Sequence, residues 1–206
     1  MTSTPWHAIV LAGGRASRLG GIDKTALHFD GMSLLDHALA SVAGAQSTLV
    51  VGPEDLRSRV PHGVAVVTER PSFGGPAAAT VAGLRVLGAE PGSRVALIAA
   101  DLPQAAAAMR ELLAVGSLAE QVDGVVAMDD TGRAQPLLAI YDTAALTAAA
   151  RRAEAASPLA GMSMRALLAP LVLCRVRLPD ALCADIDTPA AAQRHGILLD
   201  RVPSLA

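Results

Sequence analysis

Ala8-Ile9-Val10-Leu11-Ala12-Gly13-Gly14-Arg15-Ala16-Ser17-Arg18-Leu19-Gly20-Gly21-Ile22-Asp23-Lys24 lies close to the N-terminal end of a 206-residue chain. Its first residues, Ala8–Leu11, are a short apolar run stopped by two glycines, the pattern of a buried strand feeding a tight loop. From Leu11 to Lys24, four glycines and three basic side chains fall within fourteen residues. Glycines let backbone N–H groups line a concavity that solvates phosphate oxygens, and Arg18 and Lys24 supply the charge that amides lack. The segment is therefore a candidate phosphate loop, with Leu11, Ala12, Gly13 and Gly14 supplying backbone. It is not a Walker A loop, because Lys24 follows Asp23 and the GxxxxGK[ST] spacing is absent; it contains no GxGxxG either.

Outward from this loop, short apolar runs alternate with longer helical stretches. Strands are predicted at Ala8–Leu11, Thr48–Val51, Val64–Thr68, Val95–Ala99, Val122–Met128 and Leu137–Tyr141. Helices are predicted at Leu34–Val42, Ala77–Gly88, Ala105–Leu118, Thr143–Ala155, Met164–Leu168 and Pro189–Arg194, with Ser33 and Thr188 as N-caps. The alternation predicts α/β architecture: a single doubly wound, Rossmann-like domain over residues 1–206, its mostly parallel sheet covered by helices on both faces. With 52% hydrophobic but only 2% aromatic residues, the core must be built from Ala, Val, Leu and Ile.

A net charge of −2 leaves no basic excess for nucleic acid or anionic lipid, so any phosphate site is local. No run approaches the roughly 20 apolar residues of a membrane span, and the N-terminus carries no basic region of a signal peptide. A cytoplasmic protein is expected. Cys174 and Cys183 have neither CxxC spacing nor nearby histidines, which predicts reduced free thiols. The five histidines are scattered without a nucleophile or metal partner.

In open sheets of this kind, ligands sit beyond the carboxyl ends of the strands. Asp101, before Leu102-Pro103, is there either a hard oxygen ligand for Mg²⁺ or the cap of the helix that follows. Asp185-Ile186-Asp187 places two carboxylates with period 2 on one side of an extended segment, and either one, Asp187 included, is a candidate second metal ligand. Glu69 is a candidate acceptor for the N1–H and amino group of guanine, beside the Gly74-Gly75-Pro76 loop that opens a helix.

These residues resemble a known family, the MobA-like molybdenum cofactor guanylyltransferases. The resemblance is carried by Leu11–Lys24, Gly75-Pro76, Asp101-Leu102-Pro103, Arg133-Ala134-Gln135-Pro136-Leu137 with Tyr141, and Asp187-Thr188-Pro189. It implies GTP bound by Leu11, Ala12, Gly13 and Lys24, an acidic contact at Glu69, and Mg²⁺ at Asp101. It further implies transfer of GMP to molybdopterin with release of pyrophosphate. The chain departs from the family pattern in four places. Glu69 stands where Asp is common, and Gly75-Pro76-Ala77-Ala78-Ala79 replaces Gly-Pro-Leu-Ala-Gly. Gly161-Met162-Ser163-Met164-Arg165 has fewer cations than some members carry there, and Gly52 offers only backbone where others place a polar nucleotide contact. A cytidylyltransferase, another acceptor such as phospholactate or a sugar phosphate, and a non-catalytic nucleotide-binding module are the competing expectations.

Overall fold

The computed structural model describes residues 4–14, 22–70, 72–88, 92–116, 122–197 and 199. In chain order it contains β1 (Trp6–Leu11), a 3₁₀ turn at Lys24–Ala26, β2 (His28–Phe29), β3 (Met32–Ser33), α1 (Leu34–Ser41) and β4 (Thr48–Val51). A second 3₁₀ turn at Glu54–Ser58 precedes β5 (Ala65–Val67), α2 (Pro76–Leu87), β6 (Arg94–Ala99), α3 (Ala105–Gly116), β7 (Gly124–Met128) and β8 (Ala134–Asp142). The chain continues through α4 (Thr143–Ala156), α5 (Met164–Leu168), β9 (Leu173–Arg177), α6 (Asp180–Cys183) and α7 (Pro189–Arg194).

Successive residues of β1 point to opposite faces of the sheet and feed two separate cores. Ala8, Val10 and Ala12 pack with Leu35 and Ala38 of α1 and with Met109 and Leu112 of α3. Ile9 and Leu11 pack with Val81 and Leu84 of α2, Leu146 of α4 and Leu167 of α5. Helices thus cover both faces, as the near-continuous apolar strands require. Small residues set the spacing: a Cβ on Gly83 of α2 would lie 2.9 Å from Ile9 Cγ2.

The seven main strands run in the order β5-β4-β1-β6-β8-β7-β9. The β5-β4, β4-β1, β1-β6 and β7-β9 pairs are parallel, and β8 is antiparallel to both neighbours. The chain moves outward from β1 through β4 to β5, then returns to β1's other edge as β6. The topological switch point therefore lies between β1 and β6, and in open α/β sheets ligands bind beyond the carboxyl ends of the strands at such a point.

The Ser33 and Thr188 caps form as predicted, accepting from the amides of Asp36 and Ala191. Strand β9 was not predicted, because it is half-exposed, short and carries Arg175 and Arg177 among its apolar residues. Strand β8 begins three residues earlier than its apolar run. Its register against β7 jumps between Val126 and Ala127, and Pro136, which has no N–H to donate, falls in the resulting bulge. The buried Tyr141 donates its hydroxyl to the Pro136 carbonyl at 2.9 Å, tying the bulge down. Among the described residues, no helix is long and apolar enough to cross a membrane.

Candidate active site

The sheet ladder continues one residue past β1: Ala12 N–H donates to the Val51 carbonyl at 2.8 Å, and Ala100 N–H to the Leu11 carbonyl at 2.9 Å. Leu11 and Ala12 are buried, so they can offer a ligand main chain and not side chain. Beyond them, the amides of Gly13 and Gly14 have no backbone acceptor among the described residues. Gly14 has φ +156°, and a Cβ built on Gly13 would meet nothing within 4 Å. Both glycines are exposed, and amides left outside the sheet ladder are what a phosphate cradle needs. Arg15, Arg18, Gly20 and Gly21 lie outside the described residues.

The loop returns at Asp23, which caps the Lys24–Ala26 turn. Its Oδ1 accepts from the Thr25 amide at 2.9 Å and the Thr25 hydroxyl at 2.7 Å; its Oδ2 accepts from Arg59 at 2.6 Å. Burial pushes the Asp23 carboxyl up, but the bonds from Thr25 and Arg59 outweigh it and hold the group below the usual carboxylate range. So fixed, Lys24 extends its ammonium between two carboxylates. It donates to Asp101 Oδ2 at 3.2 Å and also to Asp187 Oδ1. Burial would lower the Lys24 pKa, yet the bond to Asp187 and the charges of Asp101 and Asp187 raise it, so the side chain remains a cation at neutral pH.

Asp187 arrives from the far end of the chain because the segment before α7 is pinned beside β6. Ile186 N–H donates to the Asp101 carbonyl at 3.0 Å. The Ile186 side chain is fully buried in a third core with Leu27, Leu34, Ala191 and Ile197. Burial raises the Asp101 carboxyl, Lys24 pulls it back, and Asp185 and Asp187 push it up again. Asp185 is itself raised by burial and by Asp187, against the pull of Lys24 and Arg133. Three carboxylates thus gather around the Lys24 ammonium. Asp101's side-chain hydrogen bond goes to Lys24, not to the start of α3.

On the other side of the glycine loop, a cavity of about 110 Å³ opens between the ends of β4 and β5, lined by Gly13, Gly52, Thr68, Glu69, Ser72 and Phe73 among others. Gly52 donates its N–H to the Val67 carbonyl at 2.9 Å, and its carbonyl accepts from the Thr68 hydroxyl at 3.1 Å. A Cβ at Gly52 would sit 2.8 Å from Leu56 Cδ1 and 3.0 Å from the Ala12 carbonyl oxygen. Leu56 therefore fills the space that a side chain at position 52 needs. Glu69 Oε1 accepts from the Gly74 amide at 3.1 Å. Its Oε2 is buried without a hydrogen-bond partner. Burial raises the Glu69 carboxyl despite the Phe73 and Gly74 amides that lower it.

The fold thus brings Lys24, Asp101 and Asp187 into contact, and Gly13, Gly52 and Glu69 around a cavity. The sequence offered no reason to single out Arg59, whose partner Asp23 is distant in the chain. The Asp23-Lys24-Thr25 spacing did hold a signal, since Asp two residues before a hydroxyl and an N–H makes a local turn. Two histidines have structural partners: His7 Nδ1 lies 2.8 Å from the Ser47 hydroxyl, and His37 donates to the Phe29 carbonyl at 2.7 Å. Both cysteines are free, and no group of three His, Cys, Asp or Glu side chains forms a ready metal cage among the described residues.

Exposed loop amides, a tethered ammonium and facing carboxylates at the switch point of a 3-2-1-4 strand order place the protein among the nucleotide-handling α/β enzymes. Residues 8–172 match the model of the MobA-like NTP transferase domain, and the chain belongs to that family, as a nucleotidyltransferase. It is 32% identical over 154 residues to the molybdenum cofactor guanylyltransferase of Acidiphilium cryptum, covering 74% of each chain. The crystal structure of molybdopterin-guanine dinucleotide biosynthesis protein A from Archaeoglobus fulgidus superposes with a TM-score of 0.68 at 23% identity, covering 92% of this chain and 96% of that one. The 2-C-methyl-D-erythritol 4-phosphate cytidylyltransferase of Francisella tularensis shares the fold, with a TM-score of 0.73 at 13% identity over 94% of this chain and 99% of its own. The fold by itself does not select the base.

Proposed function

We propose that this protein transfers GMP from GTP to molybdopterin, by in-line attack of the acceptor's terminal phosphate on the α-phosphate and release of pyrophosphate. The observation that carries the choice of base is Glu69 on the cavity wall, with a buried Oε2 that has no hydrogen-bond partner among the described residues. An orphaned buried acceptor is costly and calls for a donor. Guanine presents N1–H and an amino group side by side, so a carboxylate can take both; the corresponding edges of adenine and cytosine pair each amino group with an acceptor instead.

Glu69 follows β5 and Asp101 follows β6, three strand spacings apart, or about 14 Å. A nucleotide laid across the strand ends puts its base at Glu69, its phosphates on the Gly13 and Gly14 amides, and its α-phosphate near Lys24 and Asp101. Lys24, held protonated, neutralises phosphate charge, and Asp23 with Arg59 fixes the turn that aims it. The attacking phosphate oxygen is already anionic and needs no strong general base.

Asp101 and Asp187 fit a hard cation such as Mg²⁺: both are anionic oxygen donors that already share one positive group. Mg²⁺ commonly takes only one or two carboxylates and completes its shell with water and substrate phosphates. Bound there, it would draw charge off the α-phosphate and the departing pyrophosphate.

The test is to incubate the protein with each of the four NTPs, Mg²⁺ and molybdopterin and to measure pyrophosphate. Release with GTP alone is expected, falling on the order of 10²-fold or more in Asp101→Ala. Preferential turnover of CTP, or full activity in Asp101→Ala, would overturn the assignment.

A further inference from the structure

Phe73 combines three features that packing alone does not call for. It has φ +62°, a left-handed conformation uncommon for a bulky side chain and maintained only where surroundings impose it. Its side chain is 57% exposed, although it is large and apolar. It also lines the cavity that holds Glu69. The adjoining Gly74 amide donates to Glu69 Oε1 at 3.1 Å, which ties the segment carrying the ring to the carboxylate. Ring and carboxylate therefore line one cavity, linked through the Gly74 amide.

We infer that Phe73 is the stacking platform for the nucleotide base, with its ring closing over the base whose edge Glu69 reads. This rests on the nucleotide reading of the cleft and deepens it. The division of labour is chemical. A ring face attracts any base through its π surface and does not discriminate by hydrogen bonds, whereas a carboxylate discriminates and contributes little area. Purines, with two fused rings, gain more from the platform than pyrimidines do. The strained backbone at Phe73 is then the means by which the connection from β5 to α2 presents ring and carboxylate to the same ligand.

The test measures GTP binding in the presence of Mg²⁺, without acceptor, by titration calorimetry. Phe73→Ala should weaken GTP binding about tenfold, the scale of losing one base–aromatic contact, while Phe73→Trp keeps it near wild type. Phe73→Gly should also lose affinity, yet unfold at a temperature no lower than wild type, because glycine adopts positive φ without strain. In turnover the loss should appear in KM for GTP, with kcat retained. Unchanged GTP affinity in Phe73→Ala, with binding abolished in Lys24→Ala, would sink the platform and leave the nucleotide site standing. Unchanged affinity in both variants would sink the site reading as well.

Discussion

Replacing Lys24 with Met removes a cation that both Asp101 and Asp187 contact, and its consequence for stability has a definite sign and size. At 3.2 Å from Asp101 Oδ2, the gross attraction is about 5 kcal/mol at an effective dielectric of 20. Most of this is offset by desolvation of the two charges. Stripping one partner from a fully buried pair costs about 3–5 kcal/mol, and an exposed pair is worth about 0.2–1 kcal/mol. Lys24 and Asp101 are each 20% exposed and Asp187 is 39% exposed, so the site lies between these limits. A loss of about 2 kcal/mol at pH 8 follows, or about 4–8 °C in Tm for a chain of this size.

The pH dependence is the sharper part. Burial, Asp185 and Asp187 already raise the Asp101 carboxyl, and Lys24 opposes them; without Lys24 it rises further. The folded variant then binds more protons than its unfolded chain as the pH drops toward the carboxylate range, and it gains more stability on acidification than the wild type, whose Asp101 is raised less because Lys24 opposes the shift. The deficit should shrink between pH 8 and pH 5, and Mg²⁺ at pH 8 should narrow it by binding the folded carboxylates. Urea unfolding at both pH values, with m-values checked for equality, measures the gap. A gap that stays constant or widens on acidification would refute the reading of Lys24 as the counter-ion of this cluster.

Glu69→Gln should weaken GTP binding about tenfold or more, since a charged acceptor is lost. In the wild type, GTP affinity should fall as the pH drops through the raised Glu69 pKa, because only the carboxylate accepts from guanine, and calorimetry should find this component missing in the Gln variant. Asp23→Ala should cost about 1 kcal/mol as a lost cap and lower kcat through misplacement of Lys24. Because the bonds from Thr25 and Arg59 outweigh burial and hold the Asp23 carboxyl below its ordinary value of 3.8, its contribution is fully present above that pH. The thermal gap between variant and wild type should therefore close only in stronger acid. Gly52→Ala drives a Cβ against Leu56 and the Ala12 carbonyl, which should cost about 1–3 kcal/mol and raise KM for GTP; a neutral outcome in both assays would show that the wall can yield.

The strand-then-glycine pattern of residues 8–14 and the apolar runs at 48–51 and 95–99 identify the parallel centre of the sheet because both faces of those strands are buried, leaving no polar alternation to confuse the reading. The same logic hides β9, whose edge position lets arginines alternate with Leu, Cys and Val. It hides the full length of β8 as well, where Pro136 looks like a terminator but occupies a bulge. In the site, Lys24 and Asp101 were legible because each sits immediately beyond a strand or its loop. Arg59 and Phe73 were not. Arg59 matters through a carboxylate 36 residues away, and Phe73 stands out by its backbone angle, its exposure and its place on the cavity, none of which sequence displays.

The pair Asp185 and Asp187 shows where local pattern stops and topology takes over. Period 2 places both on one side of an extended segment and gives no preference between them. The residue between them makes the difference: Ile186 buries its side chain against Leu27 and Leu34 and donates its N–H to Asp101. That anchoring fixes the segment's register against the end of β6, so that Asp187 reaches Lys24 while Asp185 influences Asp101 by charge alone. The matched family region ends at residue 172, before this segment begins. The second carboxylate of the site is thus supplied by the packing of α7 and its approach onto the third core, and a mutation that loosens that core, such as Ile186→Ala, should impair the chemistry without touching a charged residue.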